Sequence, residues 1–239
     1  MLTLPTGESW TDVADAGAVV LATATDGRIY SVKDVAGTLT AKGQTEISGE
    51  VPTCVAEAQG IVFYGTKEDQ TGSKKIGRLY RADLVVADDL YVLSNNQLIK
   101  EWDIESIDAS PREIFATRDS VYVGVKESAS ESHLWRYYLP TAGIARYQKL
   151  GAGNLVQGIN KINENFIATV NGSGLYRDTG NFEEEGYLIT SPADFFTAES
   201  KQYVGLAIET EELTQANSVE IYISNDADAI NMLTMHLGY

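Results

Sequence analysis

The residues able to do chemistry are few. Histidine occurs twice, at His133 and His236, and neither has a second histidine or cysteine at ligand spacing, so no zinc centre is expected. Cys54 is the only cysteine, which excludes an intramolecular disulfide. It sits in the apolar run Thr53-Cys54-Val55-Ala56, where a cysteine acts as a small hydrophobe. One histidine would suffice for a Ser–His–Asp or Cys–His arrangement, but no strained nucleophile-elbow sequence accompanies either. Among 34 acidic residues, the densest tract is Glu183-Glu184-Glu185, read as solvated surface rather than a paired acid and base. Asn225-Asp226-Ala227-Asp228 starts like a calcium loop but lacks its glycine and its distal glutamate, so it reads as a surface turn. Gly151-Ala152-Gly153 lacks the further Gly and Lys of a phosphate loop. No catalytic, cofactor-binding or metal-binding residue is assigned, no cofactor is expected, and the chain reads as a non-enzyme.

Stacking is the other chemistry to weigh. Four aliphatic–aromatic pairs recur: Ile29-Tyr30, Leu79-Tyr80, Leu134-Trp135 and Leu175-Tyr176. In a groove, Tyr30, Tyr80, Trp135 and Tyr176 would stack on sugar rings. Their matching places in four copies point instead to packing between neighbouring units, where one large amphipathic ring fills each wedge. The residues that follow (Ser31, Arg81, Arg136, Arg177) are expected to satisfy carboxylates or carbonyls at sheet edges.

These pairs need elements to hold them. Each belongs to a motif opened by an apolar anchor: Val13, Val55, Ile114 or Ile159. A second apolar burst follows each anchor: Val19-Val20-Leu21, Ile61-Val62-Phe63, Val121-Tyr122-Val123 and Phe166-Ile167-Ala168. The anchors lie 42, 59 and 45 residues apart, and a period of this size built from short strands marks propeller blades. Asp26-Gly27 and Asn171-Gly172 suit tight hairpins, while copies two and three carry longer polar loops. Outer strands are expected at Thr38-Leu39-Thr40, at residues 144–147, and at Tyr187-Leu188-Ile189-Thr190 to end copy four. Copy two offers both 90–93 and 98–102. The fold predicted is all-β: a β-propeller-like array of about four blades (near 10–50, 51–108, 109–153 and 154–190), then a short antiparallel β-sandwich-like segment at 191–239. Either four blades close the ring or other chains complete it.

The C-terminal segment alternates at 203–209 and 219–224. Three strands are few for an independent sandwich. It therefore belongs to a larger domain, is completed by a partner, or packs on the propeller.

Composition narrows the partners. A hydrophobic content of 44% over 239 residues suffices for a real core. Eighteen basic against 34 acidic residues give −16, and such a surface repels phosphate backbones, so no nucleic-acid partner is expected. No apolar run approaches the ~20 residues of a spanning helix, so membrane insertion is not expected. Met1-Leu2-Thr3-Leu4-Pro5 lacks the basic-then-apolar pattern of a secretory signal, and synthesis in a cytosol without cleaved export is expected.

One resemblance is more specific. Residues 186–195, Gly-Tyr-Leu-Ile-Thr-Ser-Pro-Ala-Asp-Phe, then Lys201-Gln202-Tyr203-Val204-Gly205-Leu206, resemble a junction in virion structural proteins of tailed bacteriophages. There a propeller ends in a strand of this kind and a sandwich module follows; Val219-Glu220-Ile221-Tyr222-Ile223-Ser224 matches a later strand of that module. The family's glycine-bearing turn is replaced by Ala227-Asp228-Ala229-Ile230. The resemblance implies a non-enzymatic component of the virion, made in the host cytoplasm, in the tail or head–tail region. Its partners would be other virion proteins, including copies of itself in a symmetric ring, and it would act as a rigid docking platform. The alternative is a carbohydrate- or receptor-binding propeller used on a host-surface glycan or receptor. Against that alternative, the loops at 67–75 and 126–131 carry no aromatic residue.

Overall fold

Period-2 alternation and Gly-bearing turns build strands and hairpins, and the computed structural model is all-β, with four antiparallel sheets arranged as propeller blades. It describes residues 6–70, 72–150, 153–162, 165–172 and 174–177, and short strands at 188–189, 220–221 and 235–236. The chain divides into two compact units, Met1–Thr190 and Ser191–Tyr239. Among the described residues no helix is long and apolar enough to cross a membrane.

Blade one is a meander of β1 (Trp10–Asp15), β2 (Val20–Ala24), β3 (Arg28–Val35) and β4 (Thr38–Glu46). Blade two repeats it with β5 (Val51–Ala58), β6 (Ile61–Asp69), β7 (Lys75–Ala87) and β8 (Leu90–Trp102). The two expected outer strands of copy two are thus one 13-residue strand, whose partner β7 is equally long. Bulges at Leu79/Tyr80 and Arg81/Asp83 let this long ribbon keep pairing through its twist. Blade three holds β9 (Ile114–Ala116), β10 (Ser120–Lys126), β11 (Ser132–Tyr138) and β12 (Gly143–Lys149). Blade four holds β13 (Val156–Ile162), β14 (Asn165–Val170) and β15 (Gly174–Arg177).

Leu188-Ile189 departs from the expectation for copy four. As β16 (Leu188–Ile189) it pairs with Ile144 and Ala145 of β12, on the outer edge of blade three. An edge strand offers unpaired backbone groups to any extended segment that reaches it. In the second unit, β17 (Glu220–Ile221) pairs with β18 (Met235–His236). The strand expected at 203–209 lies outside the described residues.

Strand register turns the sequence motif into two faces. Val13, Ala22 and Tyr30 lie directly opposite one another across β1–β3, as do Val55, Tyr64 and Tyr80 in blade two. Blades three and four repeat this with Ile114, Val123 and Trp135, and with Ile159, Ala168 and Tyr176. Directly opposite residues share a face, so anchor, second burst and aromatic form one leading face per blade. The alternate residues form a trailing face: Leu21 and Ile29, Phe63 and Leu79, Tyr122 and Leu134, Ile167 and Leu175.

Each trailing face packs on the next leading face. Leu21 and Ile29 share a core with Val55, Val62 and Tyr64. Phe63 and Leu79 share one with Ile114, Val121, Val123 and Trp135. Tyr122 and Leu134 share one with Ile159, Phe166 and Ala168. Burying a side chain of this size contributes about 1.5–3 kcal/mol, so the interfaces dominate stability. Close approach requires glycine at two equivalent places. A Cβ on Gly65 would lie 2.9 Å from Pro111 Cβ, and one on Gly124 would lie 2.4 Å from Val156 Cβ.

Candidate functional site

The four repeat aromatics are occupied in packing and hydrogen bonding. Trp135 is fully buried, meets Trp102 edge-on at 5.7 Å, and donates its indole N–H to Glu127. Tyr80 stacks on Tyr64 at 5.2 Å and donates its hydroxyl to Glu50 at 2.9 Å. Tyr176 packs on the core between blades three and four. Tyr30 meets Trp10 edge-on at 5.4 Å within blade one and donates to Asp26. Of the arginines that follow, Arg81 meets a side-chain carbonyl, whereas Arg136 meets a hydroxyl and an aromatic ring in place of the carboxylate or carbonyl expected. Arg81 donates to the Gln97 side-chain oxygen at 2.6 Å and to the Tyr137 hydroxyl at 3.4 Å. Arg136 donates to Ser120 Oγ at 2.8 Å and lies 4.8 Å above the Tyr138 ring. The Arg177 side chain lies outside the described residues, and Ser31 is buried.

The structure also aligns a set that sequence reading passed over. The residues just before the anchors of the first three blades are Asp12, Cys54 and Glu113, and they line up blade to blade closely enough for both carboxylates to act on the thiol. Asp12 accepts from the backbone N–H of Val55 at 2.8 Å and of Val13 at 2.7 Å, tying blade one to blade two. Beside it, Thr11 donates to the Pro52 carbonyl at 3.0 Å, and Thr53 repeats this on the Pro111 carbonyl at 2.5 Å. Burial raises the Asp12 carboxyl, against its two backbone hydrogen bonds. Burial, with Asp12's charge beside it, pushes Glu113 up to about 7. Burial likewise pushes the Cys54 thiol well above its ordinary value, so the nucleophilic thiolate is suppressed. Glu113 could hold or release a proton near neutrality. No activated nucleophile stands beside it in this line, and the hydrogen bonds here are spent on joining blades.

A second cluster gathers around Glu127 of blade three, where that blade meets blade two. Glu127 accepts from Trp135 and from Arg146, and His133 Nδ1 stands 3.4 Å from its carboxylate. His133 is buried, and burial holds its imidazole below the ordinary value. Lys100 lies 5.1 Å over the Trp135 ring, and burial lowers its ammonium as well. In blade two, Glu50 gathers Thr66, Tyr80 and Arg78, and Arg78 also pairs with Glu68 and Glu101. An open cleft of about 650 Å³ is lined by Gly72, Ser73, Lys74, Asp103, Glu105 and Ser106; Lys74 and Asp103 pair there at 2.5 Å. Among the described residues no group of three or more His, Cys, Asp or Glu converges as a metal site. His236, Glu183-Glu184-Glu185, Gly151-Ala152 and Asn225-Asp226-Ala227-Asp228 have side chains outside the described residues.

No family model matches the chain, and no curated protein matches it. Among solved structures it is similar to the soluble aldose sugar dehydrogenase of Escherichia coli, with TM-score 0.50 and 9% identity, over 68% of this chain and 57% of that one. It is also similar to the computationally designed Ika4 protein (TM-score 0.45, 13% identity, 72% of this chain and 92% of that one). The WD40 propeller domain of Doa1 follows, with TM-score 0.43 and 8% identity, over 75% of this chain and 68% of that one. The likeness extends to the fold alone, and the fold is a four-blade β-propeller.

Proposed function

We propose that the chain is a non-enzymatic structural component of a tailed-phage particle, working in the tail or head–tail region as a rigid docking platform. The observation that carries this reading is how its polar groups are used. Asp12, Thr11 and Thr53 bridge blades through backbone groups, while Glu50 and Glu127 each gather several donors. Hydrogen-bond networks of this kind stiffen a scaffold. The sequence at 186–195 and 201–206 supports the phage setting, because it resembles the propeller-to-sandwich junction of virion proteins. The acidic surface suits a platform that avoids nucleic acid during assembly.

The test is to purify virions from a lysate that encodes the chain and to locate it by mass spectrometry and immunogold labelling. Stoichiometric protein at the tail or neck is the expected result. Its absence from particles, with free protein left in the lysate, overturns the reading. Turnover on a broad glycoside panel that one carboxylate substitution abolishes would overturn the non-enzymatic part.

A further inference from the structure

The motif occurs four times, yet only three interblade cores are present among the described residues: one to two, two to three, and three to four. The two faces left over are the leading face of blade one and the trailing face of blade four. On the leading side, Val13 matches Val55, Ile114 and Ile159, which are 3%, 6% and 6% exposed, but Val13 is 63% exposed. Val20 matches Val62, Val121 and Phe166; these are buried and Val20 is 41% exposed. Leu39 and Trp10 add further exposed apolar surface on the same face. On the trailing side, Leu175 matches Ile29, Leu79 and Leu134, all at most 1% exposed, whereas Leu175 is 66% exposed. Ile167 stands beside it in the place of Leu21, Phe63 and Tyr122.

Both terminal faces thus keep the apolar residues that the three inner interfaces bury, at the same register. A ring closed by its own ends would bury Val13 and Leu175 together, and both are open. Clustered exposed apolar residues mark association surfaces. We propose that a second copy of this chain docks here, its blade four against blade one of the first, through an interface continuous with those between the inner blades. The two free faces of one chain are the two halves of one such interface, which makes the same chain the occupant they fit. The contact is head-to-tail, and repeating it at the other pair of ends closes a two-copy, eight-blade ring. This stands on blade packing and goes beyond the assembly role: a monomer found in virions would overturn it and leave that role intact.

Light scattering on the size-exclusion peak of the full chain tests it, with the Val13→Asp and Leu175→Asp variants alongside. Wild type is expected at about twice the 26.0 kDa chain mass, and each variant at the single-chain mass. Because both side chains are exposed within one chain, each variant keeps the wild-type circular dichroism. Mixing the two variants restores one intact junction, Leu175 of one against Val13 of the other, and yields a dimer. Wild type that stays monomeric at every concentration overturns the proposal, as does a dimer that survives both substitutions. A Val13→Cys variant that is monomeric yet protected from thiol labelling also overturns it, because the ring has then closed on itself.

Discussion

Blade two's meeting with blade three and the open leading face of blade one are built from the same positions, yet they differ in what those positions do. In the first, Ile114 and Trp135 sit against Phe63 and Leu79 with almost no exposure. In the second, Val13 and Tyr30 have the same strand register and no blade before them. Equal residues in equal register therefore do not make equal contributions. The neighbour converts an apolar stripe into stability, since the gain scales with area removed from water.

That contrast can be broken most forcefully at the aromatics. Trp135→Ala removes a fully buried indole and a donor to Glu127, and is expected to cost about 3–5 kcal/mol. Trp10→Ala, at 39% exposure on the open face, is expected to cost a small fraction of that. Equal losses in urea unfolding would dissolve the distinction between the two faces. The aliphatic pair sharpens it. Leu79→Ala should cost about 2–5 kcal/mol, whereas Leu175→Ala measured on the single chain should stay within about 0.5 kcal/mol.

Thr53 and Thr11 make the same bond one blade apart, with Thr53 buried and Thr11 exposed. Thr53→Val leaves the Pro111 carbonyl without its donor and is expected to cost about 1–3 kcal/mol. Thr11→Val is expected to cost less, because water replaces the lost donor.

The last comparison concerns pH. Glu113 is pushed up to about 7 in the folded chain, above the ordinary glutamate range, so the folded state holds this proton more tightly. Stability from this group is therefore full below about 4.5 and falls as pH rises toward 7, where the carboxyl must ionise in place. Glu113→Gln is expected to remove that decline, matching wild type at pH 4 and exceeding it at pH 8 in thermal unfolding. An unchanged pH profile would detach Glu113 from the Asp12 line.

The blades were legible because period and register are local. Anchors, bursts and aromatics recur at spacings that strand pairing then places opposite one another. The line of Asp12, Cys54 and Glu113 was not legible, since three different residue types share only a position relative to the anchor. Cys54 looked like a small hydrophobe and is buried as one, but its flanking carboxylates come from blades 42 and 59 residues away. The partners of Arg81 and Arg136 were not legible because strand pairing brings Gln97 and Ser120 close, and the packing of blade three on blade two brings Tyr137. Leu188-Ile189 followed an aromatic pair as an outer strand should, yet it took a free edge on the blade before.

By itself the sequence determined the all-β class, the four motifs and which residues in each are apolar, because alternation and turn chemistry act within a few residues. Tertiary structure alone decided which faces meet, which carboxyl burial lifts above its ordinary range, and which of four equivalent anchors remains open. Those outcomes depend on what stands next to a residue in space, and for the first and last blades of an array that neighbour is not the preceding or following repeat of the same chain.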